Sequence, residues 1–431
     1  MQLIIHRGTK EIGGSCVEIR SADGRILVDL GMPLVDEKEG EFNKNRLKGK
    51  NISQLIADGI LPDIKGLYKG SASEFDAILI SHPHQDHYGL LNYINTDIPL
   101  YMSKGCRIMI QASHLFGQTD CELSNIKEIG SWDNPFQIKG FKIIPYLTDH
   151  SGFDSRAFLI EAEGKKIFYT GDFRGHGRKS IVFKHMLEHA PKNVDFLLME
   201  GTGIGREDGD CSSENDIENE LVKLFRQESG LNILSCSSQN IDRIVSVFRA
   251  CMRSGKTFVI DPYTAYILDK CHEVGKGLPM PGIGGTIKVF CTPNKHTKIL
   301  DDLGITKKYS NVMVPKEYIV SKYKKLVLKD NWVNRSFVSK LKWKEKPRYI
   351  YSQWSGYLKK DKQLKMTLKR VDVELIIIHT SGHAIIADLK KLADAIDPKS
   401  IIPIHTFSAD EYSSIFKQPV RQVADGETIE L

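Results

Sequence analysis

The sequence predicts an α/β protein of two or three domains. Its 431 residues are 41% apolar and 26% charged, the profile of an ordinary globular chain long enough for sizeable cores. Through about Glu200, short β-rich apolar runs are separated by glycine or polar turns. From about residue 213 the rhythm changes to strand–helix alternation, which points to βαβ units and a doubly wound sheet.

Taken in order, LIIHR, SCVEIR, RILVDLG, DAILISH, IPLYM, FKIIPYL, RAFLIEA, KIFYTGD and DFLLME read as strands. The turn chemistry of SADGR (21–25) and EAEGKK (161–166) joins neighbouring strands antiparallel. Residues 33–70 are polar and punctuated by Gly and Pro, a long loop with a short helix; a loop of that length usually has a function or packs on a neighbour. Helical patterns lie at about 105–116 and 180–190. The amphipathic helix SENDIENELVKLFRQE opens on a serine cap. LNILSC then precedes the helix QNIDRIVSVFRACM, and TFVID precedes another. VELIIIH, a helix at about 384–395 and SIIPIH close the chain.

No apolar run reaches the ~18–20 residues of a membrane span. The start, MQLIIHRGTKEIGG, lacks the charged-then-apolar form of a signal peptide. Eight cysteines (16, 106, 121, 211, 236, 251, 271 and 291) contain no CxxC pair, which argues against a disulfide scaffold or zinc ribbon. A reducing, cytoplasmic compartment with no membrane partner is the expectation.

The net charge of +6 hides an asymmetry: residues 304–370 hold 19 Lys and Arg against 4 Asp and Glu, a net of +15, leaving −9 elsewhere. The same segment carries ten aromatics. Basic residues interleaved with aromatics suit a polyanion-binding face with stacking platforms. A solvated basic surface over an aromatic core has the same composition, and composition alone leaves both readings open.

The strongest chemical signal is Ser81-His82-Pro83-His84-Gln85-Asp86-His87, directly after the buried strand DAILIS. His82 and His84, two apart at a strand end, can point to one side, while Asp86 and His87 turn toward a second position. A catalytic ion needs three protein ligands and an open position. Four metal-capable side chains within six residues supply parts of two such sites.

The cluster resembles the HxHxDH signature of the metallo-β-lactamase superfamily. Asp29 in ILVDLG, His150 in LTDHS and Asp172 in FYTGDF fall where that family has a supporting aspartate, its third histidine and a carboxylate bridging both metals. The resemblance implies His82, His84 and His150 on one ion, Asp86 and His87 on the other, and Asp172 between them. It implies two divalent ions per chain, zinc first and manganese second. The best match for the last ligand is His405 in IIPIHT, 233 residues beyond Asp172, so a domain is inserted into the hydrolase fold. The flanks resemble the β-CASP nucleases, the branch that includes ribonuclease J: Glu200 in DFLLMEGT is similar to motif A, His383 in HTSGHA to motif B and His405 to motif C, a histidine in RNA-processing members. His379 reads as a core or supporting histidine.

The implied architecture is an αββα metallo-β-lactamase sandwich with an inserted doubly wound α/β β-CASP domain. Residues 1–205 would form the N-terminal part, 206–370 the insert and 371–431 the C-terminal part. A departure from ribonuclease J is also expected, in the lack of its extra C-terminal domain. The implied function is hydrolysis of single-stranded RNA by two-metal water activation, leaving 5′-phosphates, with Asp86, Glu200 and His383 at the chemistry. Candidate substrate contacts are Thr380, Ser381 and Gly382, expected as helix-start amides that cradle phosphate, with Ser238, Asn240, Arg243, Arg174 and Trp354. A DNA nuclease of the same branch is disfavoured by His405, a non-catalytic nucleic-acid binder by the complete ligand set, and a small-ester hydrolase by the 233-residue gap.

Overall fold

The computed structural model describes residues 1–36, 40–131, 134–206, 212–282, 285–291 and 295–431. Part of the expected 33–70 loop and Cys211 lie outside these. In chain order the strands are β1 (Gln2–Arg7), β2 (Cys16–Arg20), β3 (Arg25–Val28), β4 (Ala77–Leu79), β5 (Leu100–Ser103), β6 (Ile126–Ile129), β7 (Phe136–Ile138), β8 (Phe141–Leu147), β9 (Arg156–Ala162), β10 (Lys165–Tyr169) and β11 (Phe196–Glu200). They continue as β12 (Asn232–Ser235), β13 (Thr257–Ile260), β14 (Ile287–Phe290), β15 (Met313–Val314), β16 (Leu326–Lys329), β17 (Arg348–Tyr351), β18 (Glu374–Ile377), β19 (Ser400–Ile404) and β20 (Thr428–Glu430).

The chain divides into two compact units. The first comprises Met1–Gly175, Lys179–Gly209 and Gly382–Leu431; the second comprises His176–Arg178 and Asp210–Ser381. The first unit holds two sheets, ordered β20-β1-β2-β3-β4-β5-β6 and β19-β11-β10-β9-β8-β7. Side-chain alternation along the strands builds its layers. Ile26 and Val28 enter a core shared with Phe158, Ile160, Leu198 and Ile402 of the other sheet. Leu27, between them, faces a separate outer core with Leu55, Cys106 and Ile110 from the covering helices. On the far side, Leu197 and Met199 pack against Phe183, Leu389 and Leu392 of the helices Ser180–Glu188 and Ile386–Ile396. Helix, sheet, sheet, helix is the αββα sandwich.

The second unit is built on a seven-stranded sheet ordered β15-β14-β13-β16-β12-β17-β18, parallel throughout. Its crossover helices start and stop by local chemistry. Ser213 and Asp216 form a reciprocal capping box on Glu214–Arg226. Asn240 caps Ile241–Ser254, which ends on Gly255 at φ +65°. β18 pairs in parallel with β17, from Arg348↔Glu374 to Tyr351↔Ile377. The segment 371–381, read from sequence as part of the hydrolase fold, therefore belongs to the second unit, because its backbone hydrogen bonds go there.

The 33–70 segment contains two short helical stretches, Lys44–Leu47 and Ile52–Ala57, the latter capped by Asn51. No helix among the described residues is long and apolar enough to cross a membrane.

Candidate active site

Because β8 and β10 both run antiparallel to β9, and β10, β11 and β19 pair in parallel, four strands of one sheet deliver their carboxyl ends to one edge. His150 follows β8, Asp172 follows β10, Glu200 ends β11 and His405 follows β19. In the facing sheet β3 and β4 lie parallel, Val28 opposite Leu79, so Asp29 and the turn Ser81–His87 emerge side by side. Pro83 and the short helix Gln85–Tyr88 fold that turn back. The turn lies against residues 30–32: Leu30 N–H donates to His87 O at 2.9 Å and Met32 N–H to Gln85 O at 2.9 Å. Gly31 is required there, since an added β-carbon would sit 1.6 Å from Asp86 O.

Three ring nitrogens converge: His84 Nδ1 is 3.1 Å from both His82 Nε2 and His150 Nε2. Ligands around one tetrahedral zinc-like ion stand about 3.3 Å apart. Burial first, then neighbouring histidines, push His82 and His150 well below the ordinary imidazole range. Burial also lowers His84, against the pull of Asp86 and Asp172. A lowered imidazole pKa favours the neutral ring that ligation requires. Gly382 O lies 2.6 Å from His150 Nδ1, fixing the ring so that Nε2 faces its companions.

A second set is Asp86, His87 and His405. His405 Nε2 stands 3.2 Å from Asp86 Oδ2, and its Nδ1 is 2.9 Å from the Thr202 hydroxyl. Asp29 orients His87, its Oδ2 lying 2.8 Å from Nδ1 while also accepting from Ser81 Oγ at 2.7 Å and Tyr169 OH at 2.7 Å. Asp29 and His405 both hold left-handed backbone, at φ +60° and +53°, just past the ends of β3 and β19. Non-glycine residues adopt that conformation at a cost that recurs at functional sites.

Asp172 stands between the sets, Oδ2 being 3.5 Å from His82 Nε2 and 3.4 Å from His87 Nε2. Both its buried oxygens, and buried His87 Nε2, lack a well-aligned hydrogen bond. Burial opposes the charge on Asp172, yet His405 and His87 hold its carboxyl well below the usual range. Burial likewise opposes the proton on His87, yet Asp172 and Asp29 raise it well above the usual range. Buried, aimed and unsatisfied donors of histidine and carboxylate type fit divalent cations. The groups His82–His84–His150–Asp172 and Asp86–His87–Asp172–His405 each lie close enough to hold one.

Beside them, His383 Nδ1 lies 3.1 Å from Glu200 Oε2 and 3.6 Å from Asp172 Oδ2. Glu200 is fixed by the N–H groups of Phe173 (3.0 Å) and Thr202 (3.3 Å). Burial lowers the His383 pKa, but Glu200 and then Asp172 outweigh it, so it is raised above the ordinary imidazole range. Asp172, Glu200, His383 and His405 also form a third possible metal group, which the sequence did not suggest.

The remaining candidates separate. Arg174 is fully buried, its Nε 3.5 Å from Asp149. Arg243 is also fully buried, its guanidinium divided between Glu214 (3.0 and 3.1 Å) and Ser352 O (3.0 Å), so it is committed to the core of the second unit rather than to a phosphate. Asn240 caps a helix and Ser238 bonds Thr264 at 2.8 Å. Thr380, Ser381 and Gly382 are not helix-start amides, because the helix begins at Ile386. Thr380 is buried, as is the Ile378 that precedes His379, and Trp354 is half exposed. The roles of Tyr169, Ser81 and Thr202, which position Asp29 and His405, escaped the sequence reading; their one signal is their place inside the motifs FYTGDF, SHPHQDH and MEGT.

Residues 65–225 match the β-lactamase superfamily domain. Ribonuclease J of Helicobacter pylori J99 is 25% identical over 445 residues, covering 97% of this chain and 57% of that protein. Ribonuclease J of Mycoplasma genitalium is 25% identical over 252 residues, covering 57% of this chain and 41% of that one. The chain thus spans about half the length of these curated relatives. A crystal structure of an Enterococcus faecalis V583 protein of unknown function superposes with a TM-score of 0.80 at 21% identity, covering 100% of this chain and 99% of that one, which establishes the shared fold.

Proposed function

We infer that this chain, which carries a metallo-β-lactamase-fold domain and is similar to ribonucleases J along nearly its whole length, is a metal-dependent ribonuclease. It hydrolyses phosphodiester bonds of single-stranded RNA and leaves 5′-phosphates, in RNA processing or decay. The observation that carries this reading is Asp172, a buried carboxylate shared by two side-chain groups that each lie close enough to hold one ion. His82, His84 and His150 would hold one ion, Asp86, His87 and His405 the other, and Asp172 both. Two such cations, zinc or manganese, supply water activation near neutral pH and neutralise phosphoryl charge.

The chain's own residues supply the rest. Protonated His383, steered by Glu200, is placed to donate to the departing ribose 3′-oxygen or to stabilise charge gathering on the phosphoryl oxygens. Asp29 holds the tautomer of His87, and Thr202 that of His405. The second unit is read as the β-CASP insert, its basic segment as the track for the RNA backbone. The described cysteines form no disulfide with one another, which accords with a cytoplasmic setting.

The test is incubation of the zinc- or manganese-loaded chain with 5′-labelled single-stranded RNA bearing a mono- or triphosphate. Mononucleotides released first from the monophosphorylated strand show 5′→3′ exonuclease action, and internal fragments show endonuclease action. An intact RNA beside cleaved single-stranded DNA would transfer the activity to DNA. Two intact nucleic acids would remove it.

A further inference from the structure

The helix Ser355–Lys360 opens with an unusual surface. Trp354, at its N-cap, is 47% exposed and Tyr357 55% exposed, although both are large apolar rings. Their centroids are 5.2 Å apart with the planes at 89°. The indole does not hang free. An added β-carbon on Gly356 would meet Trp354 ring atoms at 2.3, 2.4 and 2.6 Å, so the six-membered ring lies where only glycine leaves room. The backbone beneath is tied down: Trp354 O accepts from Tyr351 OH at 3.3 Å and from Tyr357 N–H at 3.1 Å. Leu358 and Leu364 anchor this helix and the next, Lys362–Val371, in the core of the second unit.

Along the two helices the charge is one-sided. Residues 355–370 contain six cations, Lys359, Lys360, Lys362, Lys365, Lys369 and Arg370, against one acid. All six are exposed. The acid, Asp361, is occupied: it pairs with Arg335 at 3.1 Å and caps the second helix through Leu364 N–H at 2.8 Å. A propped indole face beside a surplus of lysines fits a ligand with flat rings on an anionic backbone, which is an unpaired nucleic-acid strand.

We propose that Trp354 and Tyr357 form a stacking platform on the second unit that takes an unpaired base of the RNA while the lysines of the two helices take its phosphates. The platform rests on the ribonuclease reading and adds to it a source of selectivity for unpaired over duplex RNA. Stacking is worth enough to measure, and it is sequence-tolerant because every base has a face.

The test uses the full chain and a nuclease-resistant strand (2′-O-methyl, phosphorothioate) of about twelve nucleotides, a span of the order of one single-strand site. A same-length abasic backbone and a duplex serve beside it in fluorescence anisotropy. Trp354→Ala is expected to weaken binding of the base-bearing strand roughly tenfold and leave the abasic strand unchanged. Trp354→Phe keeps most of the affinity, and Gly356→Ala, which displaces the indole, behaves as Trp354→Ala. Equal binding of the base-bearing strand by Trp354→Ala, Tyr357→Ala and the parent chain overturns the platform. So does an equal loss on the abasic strand, which would report a damaged fold, or a change in self-association alone, which would make the rings a protein-binding surface. Cleavage of RNA by the parent chain separates the two ideas: if it cleaves while the variants bind normally, the platform fails and the ribonuclease reading stands. If the parent neither binds nor cleaves RNA, both fall.

Discussion

Five imidazoles ring Asp172 at 3.4 to 3.9 Å, and none of them makes a well-aligned hydrogen bond to its buried oxygens. A buried carboxylate in that position is costly unless a cation takes the place of the missing donors. Elemental analysis of the purified chain reloaded with zinc or manganese should therefore approach two equivalents. Asp172→Asn should drop it to one or fewer. Saturation of the parent at one equivalent with full activity would end the bridging role. His383 is hydrogen-bonded to Glu200 rather than grouped with the three converging imidazoles. His383→Ala should retain both metals and RNA affinity while slowing cleavage by ~10²–10⁴-fold, the range for losing an acid–base group. His84→Ala should lose metal and activity together. A His383→Ala chain stripped of a metal would make that histidine a ligand, as its grouping with Asp172, Glu200 and His405 permits.

Among the elements, the turn Ser81–His87 depends on the close passage of residues 30–32. Gly31→Ala puts a carbon against a backbone oxygen that no side-chain rotation can move. The expected cost is about 3 kcal/mol or more, with weakened metal retention, read by thermal melts and metal content. On the strands β1 to β3 a different device operates. Glu18 is buried and its carboxylate meets His6 Nε2 at 2.7 Å, Arg25 Nε at 2.6 Å and Arg20. Burial alone would raise its pKa, but those partners bring it down from 4.5 to about 2. A depressed carboxyl contributes stability that is present above its unfolded value and lost as pH falls through the folded one. Glu18→Gln should thus be less stable than the parent by about 2 kcal/mol near neutral pH. The difference should shrink between pH 4.5 and pH 2, followed by chemical denaturation across that window. A gap independent of pH would show that the carboxylate charge is not what the three partners hold.

For the whole molecule, the charge asymmetry predicts a salt response. Lys322, Lys325 and Lys342 are exposed, whereas Lys324 is engaged with Glu345 at 2.7 Å. Reversing the first three to Glu should weaken RNA binding and flatten the log–log dependence of affinity on salt, by about 0.7 for each phosphate of a single strand that is no longer neutralised. The fold should be little affected, since exposed charges contribute at most ~1 kcal/mol each. An unchanged slope would reduce the segment to a solvated face.

Some of this was legible in the sequence because its determinants are local. Four metal-capable side chains fit in six residues of SHPHQDH, and a hairpin such as SADGR is fixed by its own turn chemistry. The same holds for strand alternation and for the Ser213 cap. Other features depend on which strands become neighbours. His405 meets Asp86 across 319 residues, His383 meets Glu200 across 183, and Tyr169 reaches Asp29 across 140. Resemblance could name some of these residues but not the hydroxyls of Tyr169, Ser81 and Thr202 that hold them. Arg243 reads from sequence as a free cation, and only the packing of two helices spends it on Glu214. β18 reads as the return to the first domain until β17 claims its hydrogen bonds. Periodicity and caps are set within a few residues of chain, so sequence alone determines them. Strand order and the fate of a buried charge are settled by which distant surfaces exclude water together, and that only the tertiary structure decides.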